Sequence, residues 1–374
     1  MTHPWPDFTR FSVAQRVRGT AIATTEGEVI AMKTGRIERI LCATDFSSFS
    51  NQALRHALAL TRQFEARLKV VYVIPHVFPG GESMYGAAPW LMTPEVRERA
   101  DEDLRRFLEP AREARITHEL EVREGEPWRE IVDAAEEMEA DLVVIGTHGR
   151  GGFDRYILGS VAEKLVRRLP CSVLTVSHEE GHTWAAPGLI TRILCATDFS
   201  ETSTEALRLA SLFASGSHAG ITVLNTVENT LDFGDPTYLS MADLGPVKQE
   251  MERASIEKLR AAIAAMVQDG IAAEPHVVSG RAFKEILRAS VAERADLIVI
   301  GAQGHGFLEH MLAGSNAQHV IRGATCPVLT VRAKKASSRR GDEPHGLTLA
   351  ATDTGLRSDP GPRPPKFQEK GVNP

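Results

Sequence analysis

An eight-residue block, ILCATDFS, stands at Ile40–Ser47 and recurs unchanged at Ile193–Ser200, 153 residues further on. DLVVIGTHG at Asp141–Gly149 returns as DLIVIGAQG at Asp296–Gly304, and CSVLTV at Cys171–Val176 as CPVLTV at Cys326–Val331, each 155 residues on. A period of this length marks duplicated domains, not a solenoid of short repeats. The two-residue drift falls between the first block and the later ones, where loops absorb changes of length. The chain therefore divides into an N-terminal extension (1–36), a first copy (37–177), a linker (178–190), a second copy (191–332) and a tail (333–374). The tail is rich in Arg, Lys, Pro and Gly and is expected to be disordered. Met32 directly precedes the first copy, so residues 1–31 read as an upstream extension or a misassigned start.

Each copy alternates short apolar strands with helices. In the first, strands are expected at Arg39–Ala43, Leu68–Ile74, Ile116–Val122, Asp141–Ile145 and Ser172–Val176. Helices are expected at Ser50–Phe64, Pro94–Ala114, Trp128–Met138 and Ser160–Leu169, the first on the spacing of Ala53, Leu54, Ala57 and Leu58. The second copy repeats the plan, with strands at Ile193–Ala196, Ile221–Val227, Ala273–Val278, Leu297–Ile300 and Val328–Val331. Near-continuous apolar strands separated by helices imply a parallel sheet covered on both faces, which is a doubly wound α/β fold. The connections Pro75–Thr93 and Glu228–Gly245 are long for a compact domain and read as lids, binding segments or plain flexible loops.

Composition excludes several classes. A net charge of −6 gives no global basic field for nucleic acid, and no apolar run approaches the ~18 residues that cross a bilayer. The N-terminus lacks the apolar segment of a secretory signal, so a cytoplasmic location is expected. Cys42, Cys171, Cys195 and Cys326 form no CxxC pair and sit in apolar strand-like runs, as small buried hydrophobes do.

The chemistry lies in Gly146-Thr147-His148-Gly149, followed after nine residues by Gly159-Ser160, and in Gly301-Ala302-Gln303-Gly304, followed after nine by Gly314-Ser315. In both copies the pattern is G-x-x-G-x9-G-S. A glycine just past a parallel strand lets backbone N–H groups turn to an anion, and the next helix N-terminus adds unpaired N–H groups and a positive dipole end. The hydroxyls of Ser160 and Ser315 can bond a phosphate oxygen. Neither a Walker loop nor a G-x-G-x-x-G dinucleotide fingerprint is present. The competing explanation is structural. Ser160–Glu163 and Ser315–Gln318 both have capping-box form, and the glycines can serve turns.

Thr44-Asp45 and Thr197-Asp198 follow the first strand of each copy. Where first and fourth strands flank a topological switch, such a carboxylate shares a crevice with the glycine loop and can accept from a ribose hydroxyl or adenine amine; the alternative is an Asx-turn. Val73 and Val227, at the ends of the second strands, can offer backbone groups to a base or simply be buried. His148 lacks metal-ligand spacing to other residues, and Gln303 replaces it in the second copy, so a shared mechanism cannot need imidazole. Arg150 can meet a phosphate, but His305 replaces it.

ILCATDFS, DLVVIG, the G-x-x-G-x9-G-S loop and CPVLTV resemble the universal stress protein family in tandem form, over 37–176 and 191–332. The resemblance implies a five-stranded parallel sheet in each copy, Rossmann-like and of the adenine nucleotide alpha hydrolase-like type. It also implies ATP as the ligand, with or without Mg2+, because ATP-binding members carry this loop. Carried over by position, the site residues are Asp45, Val73, Gly146, His148, Gly149, Gly159 and Ser160, then Asp198, Val227, Gly301, Gln303, Gly304, Gly314 and Ser315. Thr44, Arg150, Val161, Thr197 and Asn316 flank them. Asn316 where the first copy has Val161, and His305 for Arg150, set the second site apart in affinity or occupancy. Family members commonly dimerise through the last strand, so the two copies are expected to pair within one chain as a pseudo-dimer, with homodimerisation open. The expected role is ATP-dependent regulation or stress tolerance through an unknown protein partner, not catalysis. The alternatives are a slow ATPase or nucleotidyl transferase, and a nucleotide-free interaction module.

Overall fold

The computed structural model describes residues 36–75, 93–149, 158–177, 190–228, 245–268, 270–303 and 314–332. The extension, the linker, the tail and most of both long connections lie outside them. The first copy runs β1 (Arg39–Thr44), α1 (Ser48–Phe64), β2 (Arg67–Pro75), α2 (Pro94–Phe107), α3 (Glu109–Glu113), β3 (His118–Gly125), α4 (Pro127–Glu137), β4 (Leu142–Gly146), α5 (Ser160–Arg168) and β5 (Ser172–Val176). The second runs β6 (Arg192–Ala196), α6 (Glu201–Ser217), β7 (Gly220–Val227), α7 (Gly245–Met266), β8 (Ala273–Ser279), α8 (Ala282–Ala292), β9 (Leu297–Gly301), α9 (Ser315–Gly323) and β10 (Val328–Val331). The single helix expected over Pro94–Ala114 is two. Pro110, which has no N–H to give, sits in the first turn of α3, and the chain breaks at Leu108.

All ten strands form one sheet, in the order β3-β2-β1-β4-β5-β10-β9-β6-β7-β8. Within each copy the pairing is parallel, and the order reverses between β1 and β4 and between β6 and β9. Asp141 fixes the start of that junction, its Oδ2 accepting from the N–H groups of Glu38 (2.9 Å) and Arg39 (3.0 Å). Asp296 does the same for Thr191 (2.8 Å) and Arg192 (2.9 Å).

The copies meet at β5 and β10, which pair antiparallel. On one face of the sheet α1 and α6 close over this seam: Gln63 donates to the Phe213 carbonyl at 3.0 Å, and the Phe64 and Phe213 rings meet edge-on at 5.2 Å. On the other, Glu163 of α5 pairs with Arg322 of α9 at 3.4 Å. With its amide oxygen facing Arg167, Gln318 accepts from that guanidinium at 2.8 and 3.0 Å. The capping boxes expected at Ser160–Glu163 and Ser315–Gln318 do not form; Glu163 and Gln318 reach across the seam instead. Two apolar layers, one on each face, draw residues from both copies, so the core runs through the seam. All four cysteines are buried, and burial pushes the Cys42 and Cys195 thiols up to about 12. Among the described residues no helix is long and apolar enough to cross a membrane.

Candidate functional site

The site is built where β1 and β4 part. Thr44, buried at the end of β1, accepts from the Phe46 N–H (3.0 Å) and donates to Ser50 Oγ (3.1 Å). Asp45 Oδ1 accepts from the Ser47 N–H at 3.1 Å. These bonds hold Phe46 at φ 64°, a left-handed conformation that bulky residues rarely adopt. The second copy repeats the turn: Phe199 donates to Thr197 (3.0 Å), Ser200 to Asp198 (3.0 Å), and Phe199 has φ 65°. The Asx-turn is thus real at both aspartates.

The glycines act through space, not backbone freedom, since none described in the motif has a positive φ. A Cβ on Gly146 would lie 2.8 Å from Phe49 Cβ and 3.0 Å from its carbonyl carbon. On Gly301 it would lie 2.8 Å from Thr202 Oγ1 and 3.0 Å from the Ser203 nitrogen. The first glycine of each motif therefore lets the opening turn of α1 or α6 pack over the strand end. At Gly149 a Cβ would fall 2.7 Å from Asp45 Oδ2, so aspartate and loop meet as the topology required.

The two halves of the motif are joined by one bond. Gly159 N–H donates to the Thr147 carbonyl at 2.8 Å, and Gly314 N–H to the Ala302 carbonyl at 2.7 Å. This seats the N-terminus of α5 or α9 beside the strand end. Gly159 and Gly314 become the caps, and Ser160 and Ser315 become the first helical residues, exposed and making no capping bond. An exposed serine and the unpaired N–H groups of a helix start are the kinds of donor that can hold an anion.

His148 is half-buried, its ring 5.0 Å from that of Phe49 and its Nδ1 3.0 Å from Thr147 Oγ1. Gln303 is exposed, and its main-chain oxygen accepts from the Thr202 hydroxyl. Val161 is half-buried against the core, whereas Asn316 is exposed. Arg150 and Gly304 lie outside the described residues. Val73 and Val227 are not equivalent. Thr44 pairs with Tyr72 and Ala196 with Leu224, so the counterpart of Val73 is Thr226, and Val227 matches Ile74 on the opposite face. The sequence reading missed Phe49 and Thr202. Their signal is that the repeat, identical through Ser47 and Ser200, departs in chemistry just where the chain touches the first glycine.

Fold and site together define a duplicated Rossmann-like α/β protein with one topological switch point in each half. The universal stress protein family model matches residues 36–177 and 190–332, and the chain belongs to that family. A universal stress protein of Methanocaldococcus jannaschii is 34% identical over 142 residues, which is 37% of this chain and 81% of that one. One from Mycolicibacterium smegmatis is 27% identical over 302 residues, 78% of this chain and 96% of its own. The crystal structure of a universal stress protein from Archaeoglobus fulgidus has the same fold, with a TM-score of 0.59 at 24% identity, covering 80% of this chain and 97% of that one.

Proposed function

We propose that the chain binds ATP as a regulatory stress protein and does not turn it over as its main task. The observation that carries this reading is the joined motif. In each copy one carbonyl–amide bond sets an outward serine and a helix N-terminus at the sheet's switch point. In the first copy the Asp45 carboxylate lies over Gly149 of the same loop.

A triphosphate fits these residues. Its oxygens would be held by the Ser160 hydroxyl and the opening amides of α5, and by their counterparts at Ser315 and α9. Asp45 and Asp198 would accept from the sugar. The strand end at Val73, or Thr226 in the second copy, would line the base. What supports binding over turnover is that both aspartates already serve their turns, through the Ser47 and Ser200 amides. Among the described residues of the loops no other carboxylate is placed to activate water.

Equilibrium binding of radiolabelled ATP to the purified chain tests the reading. Saturable binding is expected, reduced by Gly149→Val, whose side chain would collide with the Asp45 carboxylate. Absence of binding, or sustained ADP release abolished by Asp45→Ala with Asp198→Ala, would overturn it.

A further inference from the structure

The exposed face of α5 carries more positive charge than its neighbours neutralise. Trp128, in the first turn of α4, lies half-buried with its indole N–H on the Glu126 carboxylate. Three cations gather round its ring: the Arg168 guanidinium 4.5 Å from the centroid, Arg129 at 5.2 Å and Lys164 at 5.4 Å. Attraction to the ring holds them close together against their mutual repulsion. Glu126 pairs with both Lys164 and Arg129, each at 3.0 Å. Toward the seam, Glu163 is shared by Arg167 at 3.9 Å and by Arg322 of α9 at 3.4 Å. Five cations thus divide two carboxylates, and among the described residues Arg168 meets the ring but pairs with no acid.

The second copy builds the same helix pair differently. At the positions 155 residues on, Arg281, Phe283, His319 and Gly323 stand for Glu126, Trp128, Lys164 and Arg168. There Phe283 and His319 stack at 4.6 Å, and α9 keeps one arginine, Arg322, where α5 has Lys164, Arg167 and Arg168. Packing of this helix pair on the sheet therefore does not require the cationic cluster. Its surplus charge is directed at something outside the chain.

We infer that this face, centred on Trp128, Lys164 and Arg168, binds a short acidic segment of another protein. The cations are already held by ring and carboxylate, so they lose little side-chain freedom when further carboxylates meet them. The patch is also small. The nine residues of α5 make about 14 Å of helix, which about four residues of extended peptide would span. Beyond it on α4, Asp133 and Glu136 are exposed. A duplex or a lipid surface would set its phosphates against those acids and against a chain of net charge −6, whereas a few glutamates or aspartates in a row cover the patch and stop. This goes beyond the nucleotide reading and does not depend on it.

Fluorescence anisotropy of fluorescein-labelled deca-glutamate, titrated with the full chain at low ionic strength, is the test. Saturable binding is expected, weakening as salt is raised. Lys164→Gln with Arg168→Gln should weaken it by about tenfold or more. Trp128→Leu, which keeps every charge and removes the ring that gathers them, should weaken it by about threefold. Lys248→Gln with Arg253→Gln removes as much charge from exposed positions on α7 and should leave binding within about twofold of wild type. Thermal melting of each variant certifies that it is folded. Absence of binding by the wild type, or an equal loss in the α7 variant, overturns the inference. So does tighter binding of a short DNA duplex or of phosphatidylserine vesicles, abolished by the same Lys164 and Arg168 substitutions, which would make the face a site for phosphate surfaces.

Discussion

Leu174 and Leu329 pair in register at the centre of the seam, and they are the same position in the two copies, 155 residues apart. Val173 pairs with Thr330 and Thr175 with Val328, so a pseudo-two-fold axis passes between the leucines. Both are fully buried in a layer shared by the two halves. The halves should therefore unfold as one unit. Leu329→Ala should cost about 2–5 kcal/mol and lower a single melting transition. Calorimetry checks this, and two separated transitions would refute the shared core.

The axis is imperfect at the flanking threonines. Thr175 donates to the Val328 carbonyl at 3.2 Å, while the buried Thr330 hydroxyl makes no hydrogen bond. Replacing a bonded hydroxyl by a methyl group loses the bond, whereas replacing an unbonded one relieves a desolvation cost. Thr175→Val should destabilise by about 1 kcal/mol, and Thr330→Val should be neutral or stabilising by up to about 1 kcal/mol. Urea denaturation of the two variants, compared at equal m-value, reads the difference.

His56 is buried in α1, where the second copy has Leu209, and burial, aided by Arg55, lowers its pKa from 6.5 to about 4. The unfolded chain takes up this proton first. The stability at stake is thus fully present above pH 6.5 and is lost as pH falls toward 4. The loss comes to on the order of 3 kcal/mol. His56→Leu should flatten this part of the stability–pH curve. An unchanged slope between pH 6.5 and 4 would show that other groups carry it.

Ser160 and Ser315 distinguish a cap from a ligand. A serine cap removed to alanine costs about 1 kcal/mol. Neither hydroxyl caps its helix, so Ser160→Ala and Ser315→Ala should shift stability by less than about 0.5 kcal/mol. Each should still weaken ATP at its own site by roughly three- to tenfold. Melting curves and binding isotherms on the same samples separate the two roles.

Much of the fold is legible in the residues because it is written locally. Ser172–Val176 is a short apolar run after Pro170 and comes out with the expected ends. The meeting of Asp45 with Gly149 follows from the reversal of strand order between β1 and β4. What could not be read depended on partners far along the chain. Glu163 looks like a capping-box acid until Arg322 comes beside it from the other copy. That Gly146 also makes room for the first turn of α1 shows only once Phe49 is placed against it. Val227 was out of phase by one because its strand has no internal mark of register, and only pairing with β6 supplies one.

The antiparallel junction of β5 with β10 also fixes directionality. Parallel strands in each half put both switch points at carboxyl ends, and the junction turns those ends away from each other. If nucleotide binds as proposed, a partner at one end would not meet the ligand at the other. The sheet is consequently bipolar, its two switch points opening toward opposite edges on either side of the Leu174–Leu329 pair.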